Sequence, residues 1–222
     1  MNLEQKIEKI VILSQAIHAQ EPLPTTISEE QAAIAMAKIS ECVIDLLMEG
    51  MPVQVVEHSL FYFWLHLEAP LRHVSEEQVN QQFLADAVEQ IVTIIKTVLD
   101  NLPDYSPTLE MQRLGKEIND LKSYITGRAL DHLSANELVS VVENVNMRIH
   151  TVSSNLLMQS FHPEIIANVL FSYWLRTSTI QSYVSEKYYQ KMEFYFCEII
   201  AEVRKQIPLI FQQKHEVVKC AM

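Results

Sequence analysis

The side chains in this sequence that could do chemistry are dispersed rather than clustered. Of eight histidines, His58 and His66 stand two helical turns apart, with Glu57 and Glu68 beside them and His73 a little further on. A metal centre carried on one helix needs ligands that converge, as a histidine pair at i and i+4 does. No two histidines here are four residues apart, and no Glu-x-x-His of the di-iron carboxylate type occurs. Cys42, Cys197 and Cys220 are odd in number and fit neither a disulfide framework nor a zinc pattern. The three glycines, Gly50, Gly115 and Gly127, are too far apart for a phosphate-cradling loop. The expectation is therefore a non-enzymatic protein with no catalytic residue, metal ligand or cofactor.

The carboxylates give a more coherent signal. Residues 1–111 carry 17 acids and 5 bases, whereas residues 112–222 carry 11 acids and 12 bases. Between Ile39 and Ile95 lie nine acids and one base, Arg72. Glu41, Asp45 and Glu49 recur every four residues and so share one helix face. Together with Glu57, Glu68, Glu76 and Glu77 they form a candidate docking surface for a basic or amphipathic segment of another protein. Like charges four apart cost a helix about 0.2–0.5 kcal/mol per pair, so the row works slightly against its own helix. The net charge of −11 makes nucleic acid an unsuitable partner, because phosphate binding needs clustered Lys and Arg.

The elements that would position these residues are helical and duplicated. At an offset of 110, Leu46-Leu47-Met48 falls on Leu156-Leu157-Met158, and Leu60-Phe61 on Leu170-Phe171. Trp64-Leu65 falls on Trp174-Leu175, and Val74-Ser75-Glu76 on Val184-Ser185-Glu186. The only two tryptophans form one of these pairs. The expected fold is all-α: two tandem pseudo-repeats of a roughly four-helix unit, packed as a pseudo-two-fold helical bundle. The expected domains are an acidic copy at 1–104 and a near-neutral copy at 105–222, or one continuous core. Two copies are too few for a solenoid.

Local signals mark the helix ends. Glu21-Pro22-Leu23-Pro24 stops a first helix over 2–19. Ser28 with Gln31 caps the second, and Gly50 ends it in a left-handed residue. Pro52 opens the third, and Ser75 with Gln78 caps the fourth. In the second copy, Pro107 and Thr108 open a helix that ends near Gly127. Ser134 with Glu137, Pro163 and Ser185 open the next three, and a short terminal helix is expected after Pro208.

The third helix of each copy is apolar nearly all round, which predicts burial. Trp64 and Trp174 are expected in the core or where the copies meet. The alternative is an aromatic pocket for a small molecule, lined by Phe63 and Trp64, which makes a sensor or carrier the second functional reading. An enzyme on a helical-bundle scaffold is the third. No apolar run is long enough to span a membrane, and the start MNLEQKIEKI is not a secretory signal, so a cytoplasmic setting is expected.

Overall fold

The computed structural model describes residues 29–68, 81–104, 130–177 and 184–220, with Ser106 and Leu109. These residues form α1 (Glu29–Met48), α2 (Val53–Glu68), α3 (Gln81–Asn101), α4 (Ala135–Met158), α5 (Pro163–Thr177), α6 (Glu186–Phe194) and α7 (Phe196–Cys220), with a 3-10 turn at Leu130–His132. No strand occurs among the described residues, so the fold is all-α. The first helix expected in each copy, at 2–19 and 108–127, lies outside them except for Leu109, as do the caps at Ser28 and Ser75.

The helix ends repeat the same chemistry 110 residues apart. α1 closes with Met51 N–H donating to Leu46 C=O and Gly50 N–H to Leu47 C=O, both at 3.0 Å. α4 closes with Phe161 N–H on Leu156 C=O at 3.1 Å and Ser160 N–H on Leu157 C=O at 3.0 Å. These are paired Schellman closures, each with a left-handed residue after the helix. Gly50 has φ 84°, and its counterpart Ser160 adopts φ 63° despite its Cβ. The Ser134–Glu137 capping box forms as expected, with the Glu137 carboxylate accepting from Ser134 N–H at 2.8 Å. Its two bonds with Ser134 hold the Glu137 carboxyl below its usual range.

The described helices belong to two compact units. One contains α1, α2, α4 and α5; the other contains α3, α6 and α7. Each takes helices from both sides of the copy boundary at 104/105. In the first unit α2 packs most extensively on α5 and then on α4, while α1 packs on α5 and α4. Sequence neighbours α1 and α2, or α4 and α5, touch far less. Helices of one copy thus bury their apolar faces chiefly against helices of the other.

The cores follow the sequence stripes. Ala35, Ile39 and Leu46 on α1 are buried, as are their counterparts Val145, Ile149 and Leu156 on α4. The volume traded between Ala35 and Val145 is the kind of change that repacking absorbs. In the second unit, Ile91, Ile95 and Leu99 of α3 are buried, as are Ile199, Val203 and Ile207 of α7. Lys191, itself buried, donates its ammonium to the Leu102 carbonyl just past the end of α3. A cation there complements the negative end of the helix dipole.

The C-terminal helices depart from expectation. No separate helix begins after Pro208; α7 runs unbroken from Phe196 through it. Proline removes one N–H and strains the preceding turn, but burial of Ile207 and Ile210 on either side keeps the helix in place. The interruption falls earlier, at Tyr195, which closes α6 with its N–H on Lys191 C=O at 3.1 Å.

Candidate functional site

The aromatic residues of α2 and α5 form one closed cluster. Trp64 and Trp174 lie with ring centroids 6.4 Å apart and planes 2° from parallel. Phe61 lies 4.8 Å from Trp174, and Phe171 lies 4.5 Å from Trp64. Within each helix the Phe–Trp centroids are 5.4 and 5.1 Å apart. Trp64, Phe63 and Phe171 have no exposed surface. At these separations the rings fill the space between the third helices with one another.

The seam between α2 and α4 is more polar. Ser59 on α2 donates its hydroxyl to the Asn146 side-chain oxygen on α4, and both residues are buried. One turn on, the rings of Phe63 and His150 are 6.0 Å apart. His150 Nε2 lies 3.3 Å from Ser154 Oγ. On α4, Ser153 is fully buried, and its hydroxyl has no hydrogen-bond partner among the described residues. His66, further along α2, sits edge-on to Tyr62 at 4.3 Å, and burial pushes its pKa down to about 4.

The carboxylate row on α1 is placed as its spacing implies: Glu41, Asp45 and Glu49 are all exposed. Ile34, Ile44 and Met48 share that face and are exposed at 39%, 44% and 65%. Arg148 of α4 reaches across to this row, with a guanidinium nitrogen 2.5 Å from Glu49 and another 3.9 Å from Asp45. The matching pair at the 110 offset is Lys38 and Gln159, joined by a 2.9 Å hydrogen bond. Glu57 is half-buried on α2. Glu76 and Glu77 lie outside the described residues, as does the side chain of Glu68.

Cys42 sits behind the row, half-buried. Burial raises its thiol pKa to about 11, with Asp45, Glu49 and Glu41 adding to the rise and Arg148 opposing it. A thiol held so high is a small hydrophobe rather than a nucleophile. Cys197 is exposed near the start of α7.

No family model, curated protein or solved structure matches this chain. Among the described residues no group of His, Cys, Asp or Glu is placed to hold a metal ion, and no helix is long and apolar enough to cross a membrane.

Two features among those not legible in the sequence concern charge and space. One is the Arg148 bridge, for which the only sequence signal is a basic residue kept at the matched positions 38 and 148. The other is a groove of about 540 Å³ in the second unit, where Glu89, Thr93 and Ile94 of α3 face Leu209 and Ile210 of α7.

Proposed function

We propose that this chain is a non-enzymatic protein-binding module, of the adaptor, chaperone or regulatory kind. Its acidic first copy docks a basic amphipathic segment of another protein. The observation that supports this reading is the outer face of α1, where exposed Ile34, Ile44 and Met48 alternate with the exposed carboxylates of Glu41, Asp45 and Glu49. An amphipathic helix offers apolar side chains at i, i+3, i+4 and i+7, and basic ones beside them. Such a helix matches this face in both respects. The counterparts of the three acids in the second copy are Thr151, Asn155 and Gln159, so the shared fold does not require acids here. Arg148 engages one side of the row and leaves Glu41, at the other end, in solvent.

The test uses a fluorescent Lys/Leu amphipathic helical peptide as a defined probe. Wild-type protein should bind it, more weakly as salt rises, because exposed charges are screened beyond about 8–10 Å at physiological ionic strength. E41T/D45N/E49Q should lose most of the salt-dependent part, and I44S/M48S most of the remainder. Equal binding by wild type and both variants at low and high salt would overturn the reading.

A further inference from the structure

The helices of each copy pack mainly against the other copy, so the same surfaces could be satisfied by a second chain. Two like copies from different molecules could interlock in place of the two copies of one molecule, which differs from a swapped dimer, where unlike copies are exchanged and every contact is kept. The aromatic cluster cannot prevent this. Phe61 and Trp64 are the same residue types as their counterparts Phe171 and Trp174, so each copy would stack equally well on another of its own kind. The α1–α4 bridges cannot prevent it either. Exchanging partners would set Lys38 against Glu49 and Arg148 against Gln159, and both are donor–acceptor pairs.

The α2–α4 seam is different. Ser59 donates to Asn146 there. The sister seam, where α1 packs on α5, has Met36 and Val169 at the matching positions. Pairing first copy with first copy would set the buried Ser59 hydroxyl against Met36. Pairing second with second would set the Asn146 amide against Val169. Each would bury a polar group without a partner, which costs more than the hydrogen bond itself contributes. A single buried polar residue that selects its pairing partner has precedent in coiled coils.

We propose that the Ser59–Asn146 hydrogen bond is the pairing-specificity site of the fold, directing each first copy onto a second copy and away from the like copy of another chain. This goes beyond the proposed function and does not depend on it.

The experiment is refolding of the full chain from guanidinium at low and high protein concentration. Dimer is measured by size exclusion with light scattering, and stability by denaturation midpoint. S59V/N146M puts into this seam only residues that the sister seam already holds. M36N/V169S does the reverse and makes both seams polar. Either edit makes like and unlike pairing equivalent at these two seams. Both variants should therefore give severalfold more dimer than wild type at high concentration, and S59V/N146M should keep the wild-type midpoint. If S59V/N146M does not fold, M36N/V169S decides. Folded variants that form no more dimer than wild type at high concentration would overturn the proposal.

Discussion

Trp64 and Trp174 are the only tryptophans in the chain, they stand 110 residues apart, and their rings lie parallel with centroids 6.4 Å apart in the centre of one unit. Each also meets the phenylalanine of the other copy, so the four rings act as one body. Replacing either tryptophan with alanine should destabilise the protein by about 3–5 kcal/mol, as expected for emptying a buried aromatic site. The two losses should not add, because each indole is part of the other's environment. Guanidinium denaturation of both single variants and the double variant measures this. A loss below about 1 kcal/mol for either single variant would contradict the burial of that ring.

The matched closures of α1 and α4 make an internal comparison. Glycine enters the left-handed region freely, whereas a residue with a Cβ pays roughly 1–2 kcal/mol there. Ser160→Gly should therefore raise stability, by about 0.5–1 kcal/mol once the glycine's greater freedom in the unfolded chain is subtracted. Gly50→Ala should lower it by about 1 kcal/mol. Thermal midpoints of the two variants should move in opposite directions.

Stability should fall on mild acidification. His66 titrates near 6.5 when exposed and near 4 when folded, so between those values the unfolded chain binds the extra proton. Its contribution is complete above about pH 6.5 and is lost as pH falls toward 4. The loss from this residue should be on the order of 2 kcal/mol, below the full value of the shift because the ring is not wholly enclosed. His66→Gln should flatten the denaturation midpoint against pH across that window. An unchanged slope would show that other groups carry the acid sensitivity.

The thiols should separate kinetically. At pH 8, Cys42, raised to about 11, has roughly a hundredfold less thiolate than an ordinary cysteine. Exposed Cys197 should react with a thiol reagent at least tenfold faster than Cys42 in the folded protein. Mass spectrometry of peptides after timed alkylation gives both rates. Arg148→Gln removes the one charge that lowers the Cys42 pKa, and should slow Cys42 further.

The sequence by itself determined what depends on nearby residues. Helix type, the Ser134–Glu137 capping box, the Gly50 cap and the buried third helices are all written in local spacing and composition. The exposure of Glu41, Asp45 and Glu49 was legible too, because a four-residue period fixes one helix face. The course of α7 through Pro208 was not, because packing of Ile207 and Ile210 outweighed the local preference of proline. Only the tertiary structure decided which helices of the two copies meet, that Arg148 answers Glu49 as Lys38 answers Gln159, and that Ser59 meets Asn146. Those pairs are 87 to 121 residues apart along the chain. Periodicity states which face of a helix is buried, but the apolar faces of the two copies are nearly the same. Side-chain fit and buried hydrogen bonds, formed once the helices meet, choose the partner.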